Sequence, residues 1–494
     1  MTAIQGTLLV LVLLAAVVAG LYYSWRRPFL GLGFLVAGMA FHNFALMVLL
    51  KLGTPGLLIR VFQAWKEAIL TTLAVLALMN LLRLWRSGRR LRLLAADWLA
   101  VAFTILVCVY FVIPQHWLGG QSNLAERLVA FRAAIFMPLL YILGRAFADR
   151  ADERDLRWVV WLVVGAAAVV GAFGMIELFL LPTRIWVDWG ENLFNNLLGL
   201  NYNGPGHLPD NFFQTISGGG LLLRRMVSTY ISPLGIAYTG VMVVPVAVVL
   251  VEWARRQHRW VLGLAALALT LLLLGILFSV TRLAIGCLVV EVVILAALLK
   301  ERWLAGLTVV LLAASVVILF LYPKFGPVVD RNLNPASLNY KGAIISANDP
   351  STQEHTLFLI GDANTAVHHP LGVGLGSAVF RYGTTTRSGE SAVLSIFVDM
   401  GLLGGFVYLA MYLFGLFHGY RLCRSLDRRS LVAALPLAIS VGGLALFPIT
   451  MTSDIWGASA VTYLFWWAAG HCASLAGGRG AASREAAGPL ERPG

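Results

Sequence analysis

Several charged side chains in this sequence stand among apolar neighbours, and their types point to one kind of chemistry. Lys66 and Glu67 fall in WKEAIL, Arg132 in VAFRAAIF and Glu177 in GMIELFL. Arg224 and Arg225 begin RRMVSTYISP, Arg282 lies in SVTRLAIG, and Glu390 opens ESAVLSIFVDMGLLGG. A planar guanidinium offers paired donors to phosphate oxygens, so arginines gathered at one polar mouth suit a diphosphate. A carboxylate at the entry of a low-dielectric site, as Glu390 is placed, suits a general base acting on a hydroxyl. Together they fit transfer onto a hydroxyl, with arginines stabilising a diphosphate leaving group and no metal taking part. No His, Cys or Asp cluster has metal-ligand spacing, and His368-His369 reads as a solvated helix end. Cys108, Cys287, Cys423 and Cys472 show no CxxC spacing and read as small packing residues.

Taken singly, each of these charges has a bland explanation. Arg224 can snorkel to lipid headgroups. Lys66 and Glu67 point about 100° apart on a helix and need not pair. Arg282 resists such a reading, because Val280, Leu283, Ala284 and Ile285 flank it without a basic neighbour. It is the convergence of these charges on one face that implies a polar, partly buried cavity. Asp399 stands apart: nine residues beyond Glu390, it is half a turn away in azimuth and about 13 Å deeper. It reads as a structural contact between helices.

The elements that must position these groups are membrane helices. The chain has 494 residues, 59% hydrophobic and 12% charged, with a mean hydropathy of +0.81. Apolar runs of about 20 residues recur, the length that spans a bilayer. The expected fold is an all-α polytopic membrane protein of about thirteen spans. They cover roughly 4–23, 29–50, 57–82, 94–113, 128–147, 158–181, 228–251, 260–278, 281–299, 303–321, 390–418, 431–450 and 456–473. The first lacks a basic leader and a cleavage site, and is expected to be retained.

With this count, the basic clusters at 26–27, 83–92, 150–157, 254–259, 300–302 and 420–429 all fall on one side. The net charge of +13 is therefore read as positive-inside topology rather than nucleic-acid binding. The N-terminus is expected outside and the C-terminus inside.

Residues 1–321 thus form a bundle with an outer connection at about 182–227, and 322–389 a large outer loop. Residues 390–473 return to the membrane, and 474–494 form a tail, disordered by composition from Gly477. The 182–227 connection is expected to hold an amphipathic interface helix carrying Trp186, Trp189, Phe194, Leu197 and Leu198. In the large loop, Ser351 and Glu354 have capping-box spacing, for a helix running through Leu357, Ile360 and Asn364 and stopping before Pro370. Gly372, Gly374 and Gly376 look like a phosphate loop only superficially, since no Lys follows, and are expected to form a tight turn.

WKEAIL, RRMVSTYISP, SVTRLAIG, DPSTQEH, HHPLGVGLGS and ESAVLSIFVDMGLLGG, in this order and with this loop placement, resemble the O-antigen ligase and polymerase superfamily over roughly residues 60–410. The resemblance implies a GT-C-type membrane glycosyltransferase of the bacterial inner membrane, with its site facing the periplasm. It implies undecaprenyl-diphosphate-linked oligosaccharides as donor and acceptor, membrane lipids as surroundings, and neither cofactor nor metal. By motif, Arg225 and Arg282 would hold the diphosphate, while Arg224, Lys66, Arg132 and His355 would contribute to substrate binding. Glu390 falls where ligases carry a histidine, and the Glu-Ser pair is a polymerase pattern. The leading expectation is therefore a polymerase of O-antigen or exopolysaccharide repeats, a reading that admits a chain-length regulator as partner. The alternatives are a ligase to lipid A-core and, in another class, a lipid-linked glycan flippase. Against the flippase, no internal repeat is visible and the charges gather at one face instead of the midplane.

Overall fold

A lipid interior leaves backbone groups no partner but each other, so long apolar runs become helices. The computed structural model describes residues 2–87, 93–200, 202, 204–215, 222–329, 333, 350–378, 391–457 and 460–486. Its first half comprises α1 (Thr2–Arg26), α2 (Leu30–Lys51), α3 (Gly56–Gln63), α4 (Trp65–Arg86), α5 (Ala95–Val112), α6 (Leu124–Phe147) and α7 (Glu153–Leu180). The short α8 (Ile185–Asp188) and α9 (Glu191–Leu197) precede the strands β1 (Phe213–Thr215) and β2 (Leu222–Arg224). Then follow α10 (Pro233–Ala254), α11 (Arg259–Phe278), α12 (Arg282–Leu299), α13 (Arg302–Val316), α14 (Tyr322–Phe325) and α15 (Pro350–His368). The chain closes with α16 (Leu394–Ser425), α17 (Ala434–Leu437), α18 (Gly443–Thr452) and α19 (Ala460–Ala486). Among the described residues, twelve segments are long and apolar enough to cross a membrane, which makes this an all-α multi-pass membrane protein.

Several expected elements change form. The third span is two helices: α3 ends at Gln63 and α4 starts at Trp65, so Lys66 and Glu67 occupy a first helical turn. The span expected at 390–418 is α16, bent at Gly401 (φ 68°, ψ −169°). A Cβ there would lie 2.3 Å from the Pro370 carbonyl oxygen, so the crossing 370–372 segment requires glycine. The span expected at 431–450 passes through α17, a π turn at 438–442 and α18.

The thirteenth expected span, 456–473, lies in α19, which is not among the twelve. Thr462, Tyr463, Trp466, Trp467 and His471 dilute its apolar character, yet all five are buried. It packs closely on α6: a Cβ on Gly144 would sit 2.1 Å from the Trp467 carbonyl oxygen, and one on Gly470 1.9 Å from that of Tyr141. The helix also runs on to Ala486, through the first part of the segment expected to be disordered.

The 182–227 connection is not one amphipathic helix either. Gly190 (φ 95°) separates α8 from α9, and Trp186 and Phe194 turn into the protein, leaving Leu197 and Leu198 exposed. A hairpin follows, pairing Phe213 with Arg224, Gln214 with Leu223 and Thr215 with Leu222. Helix α15 ends at His368, before Pro370 as its sequence predicts. The side chains of Ser351 and Glu354, the expected capping box, lie outside the described ones. All four cysteines are free thiols.

Candidate functional site

The segment from Arg224 to Ile231 leads from β2 into α10 and follows the turn between α11 and α12. Its main chain is anchored on that turn through Met226 N, which donates to Phe278 O at 2.9 Å, and on the hairpin's start through Arg225 N, which donates to Phe212 O at 2.9 Å. Ser228 Oγ donates to Val170 O at 2.6 Å, and Thr229 Oγ1 to Ala40 O at 2.7 Å. Ser228 (φ 48°), Ile231 (φ 53°) and, on the facing turn, Val280 (φ 51°) adopt left-handed conformations. For β-branched Ile231 and Val280 this backbone is strained, and such strain persists only where surrounding contacts enforce it.

The two neighbouring arginines diverge. Arg224 ends a strand, where successive side chains point to opposite faces. Its guanidinium is buried, 2.8 Å from Glu177 Oε1 and 2.9 Å from the Glu177 carbonyl, and it also donates to Leu181 O. Trp186 Nε1 at 3.0 Å and Val227 N at 3.3 Å complete the Glu177 carboxylate, while Tyr322 OH donates to Arg224 O at 2.6 Å. This is a closed network.

Arg225 faces the other way. Its Nε donates to Ser279 O at 2.7 Å and its Nη2 to Thr281 Oγ1 at 2.9 Å. Burial above all, and Arg282 beside it, bring its guanidinium down to about 10, with Tyr238 and Tyr322 acting in the opposite sense. Arg225 therefore stays cationic at neutral pH. Arg282 is half-buried at the first turn of α12. Arg282 is close enough to Arg225 to disfavour its charge, and an anion with several oxygens would ease that repulsion.

Lys66, Glu67 and Arg132 form a second cluster. Glu67 Oε1 is 3.2 Å from Arg132 Nη2 and 3.9 Å from Lys66 Nζ, so the adjacent Lys66 and Glu67 do approach each other. Lys66 Nζ also lies 3.3 Å from His42 Nε2 and 3.3 Å from Gln63 O, and Trp65 Nε1 donates to His42 Nδ1 at 3.0 Å. Arg132 lies over the Phe136 ring, 5.6 Å from its centre. Helix α2 ties this cluster to the first: Ala40 receives Thr229, and Asn43 Nδ2 donates to Tyr230 O at 3.2 Å.

Glu390 lies outside the described residues, but the residues that follow it are fixed. Ser391 Oγ donates to Thr450 O at 3.3 Å and Ala392 N to Ser453 O at 3.2 Å. Ser453 Oγ pairs with Tyr238 OH at 2.8 Å, and Tyr238 is close enough to act electrostatically on Arg225. His355 is half-buried on α15.

Asp399 makes a different contact from the interhelical one expected. Its carboxylate accepts the backbone N–H of Gly376 at 3.0 Å and of Ala378 at 2.9 Å, and its carbonyl accepts that of Gly374 at 3.1 Å. Gly372, Gly374 and Gly376 all have positive φ, so the glycine segment is a tight turn, and the Gly374, Gly376 and Ala378 donors go to Asp399. His42, Tyr238, Thr281 and Ser453 carry no sequence signal of their own, and only the fold brings them to these charges. No protein-family model matches the chain, and no curated protein matches it.

Proposed function

We propose that this protein is a membrane glycosyltransferase that polymerises polyprenyl-diphosphate-linked oligosaccharide repeats, in the manner of the O-antigen ligase and polymerase superfamily that its motifs resemble. In this reading it lies in the bacterial inner membrane with the site facing the periplasm. The observation that carries the reading is the pairing of Arg225 with Arg282 on a strained, tightly anchored turn.

The two guanidinium groups would hold the donor diphosphate. Arg224, locked on Glu177, positions Arg225 rather than touching substrate. The acceptor hydroxyl oxygen attacks the anomeric carbon of the donor sugar as the bond from that carbon to the diphosphate breaks. The hydroxyl proton passes to Glu390, and the departing diphosphate charge falls on Arg225 and Arg282. Lys66, Arg132 and His355 would line the approach of the acceptor, and a chain-length regulator would be a partner in the membrane.

Deletion in a producing cell tests the reading. Loss of long chains, with single repeats still attached to the final carrier, supports it. Loss of all attached glycan would make the protein a ligase, and lipid-linked repeats stranded on the cytoplasmic leaflet would make it a flippase.

A further inference from the structure

Glu291 lies on α12, nine residues beyond Arg282 and about 13 Å deeper by helix rise. It is fully buried, and neither carboxyl oxygen has a hydrogen-bond partner among the described residues. Two neighbouring helices supply what surrounds it. On α10, Pro245 has no N–H to give, so the carbonyl of Val241, four residues earlier, loses its helical donor. Opposite, the π turn at 438–442 ends on Gly442. A Cβ on Gly442 would lie 3.4 Å from Glu291 Oε1, from Val241 O and from Pro245 Cγ alike. That is contact without overlap, so a methyl-sized space separates the acid from the freed carbonyl.

The other titratable or charged groups on the elements packed here stand elsewhere along their helices. They are Tyr238 and Glu252 on α10, Arg259 on α11, Arg282 and Cys287 on α12, and Arg302 on α13; α17, the π turn and α18 carry none. Of these, Cys287 is one turn before Glu291 and close enough to interact with it. An ionised carboxylate here would lack a compensating charge, at a cost of several kcal/mol. A metal ion would need about six oxygens, whereas these surroundings present one acid and one carbonyl. A neutral carboxylic acid needs no compensating charge, and the carbonyl freed by Pro245 lies across a methyl-sized space from it.

We propose that Glu291 is a proton-binding site in the membrane core, held as the neutral acid beside the freed Val241 carbonyl and the space at Gly442. Removing the proton would leave an unpaired anion between α10, α12 and α18. The site thus couples proton occupancy to the packing of the helix that presents Arg282.

Infrared difference spectroscopy on the full chain in liposomes at neutral pH, wild type minus Glu291→Gln, tests this. The expected difference is one C=O stretch of a protonated carboxylic acid, lost in the variant. Loss of carboxylate bands instead would overturn the proposal. Should the variant fail to insert, wild-type protein treated with dicyclohexylcarbodiimide, which attacks protonated carboxyls in apolar surroundings, serves instead. Mass spectrometry should then find Glu291 modified more heavily than the exposed Glu153, and the reverse order would contradict the assignment.

Discussion

The two ends of the bundle differ in how they treat one of their arginines, Arg225. At the end of the basic connections, cations meet carboxylates. Arg27 Nη1 is 2.6 Å from Asp155, Arg145 Nε 2.6 Å from Asp97, Arg255 3.0 Å from both Glu252 and Glu301, and Arg256 3.4 Å from Asp427. Arg429 adds a further bond to Glu301. At the other end, Arg224 and Arg132 are met in the same way by Glu177 and Glu67, but Arg225 is braced by a carbonyl and a hydroxyl, with Arg282 close enough to act on it electrostatically. Charges neutralised inside the protein hold helices together. Charges of one sign brought close together suit the diphosphate of the proposed donor.

The largest effects should come from the aligned pair. Arg282→Ala and Arg225→Ala should each lower glycan transfer by about 10²–10³-fold, the range seen when one transition-state donor is removed. The protein should still insert, and product sizing at matched expression is the measurement. Next comes the closed network: Glu177→Gln leaves Arg224 buried beside a neutral partner, and breaking such a pair costs about 3–5 kcal/mol. Thermal unfolding in detergent should register the loss, with activity falling alongside it. Asp399→Asn weakens the acceptor for two backbone donors and should cost about 1–3 kcal/mol, with partial activity retained in the same transfer assay.

A fourth test uses pH. Burial raises Glu191 to about 8, against a partial lowering by Asn195. The folded state therefore keeps a proton that the unfolded chain releases near its ordinary value of about 4.3. Stability from this group is fully present below that value and is lost as pH rises through about 8. Melting curves of Glu191→Gln should be flatter over this window than those of wild type. The smallest effect belongs to the exposed pair at the basic end. Arg256→Ala should change stability by about 0–1 kcal/mol and leave transfer intact.

Much of this was legible in the sequence, for physical reasons that also mark where legibility ends. Apolar length located the spans, and Pro370 predicted the end of α15. The isolation of Arg282 among aliphatic residues singles it out in the sequence, and the fold brings it near Arg225. The division of labour between Arg224 and Arg225 was not legible, because it depends on a short hairpin that turns neighbouring side chains to opposite faces. Nor was the bend at Gly401, which exists because a loop far along the chain crosses there. The role of Asp399 was misjudged for the same reason, since its partners are loop N–H groups rather than another helix. Helix α19 combines deep burial with polar side chains, which hydropathy reads as a weaker span. Glu291 is plain in LVVEVV, yet its significance depends on Pro245 and Gly442, which only packing brings to it.

The central claim is that the end carrying Arg225 and Arg282 acts on a lipid-linked diphosphate. Its most direct measurement is reconstitution of purified protein in liposomes with a defined polyprenyl-diphosphate-linked repeat, followed by sizing of the product. Wild type should yield a ladder of chains and release polyprenyl diphosphate, while Arg282→Ala should return the single repeat unchanged. An identical ladder from both proteins at equal amounts would contradict the account.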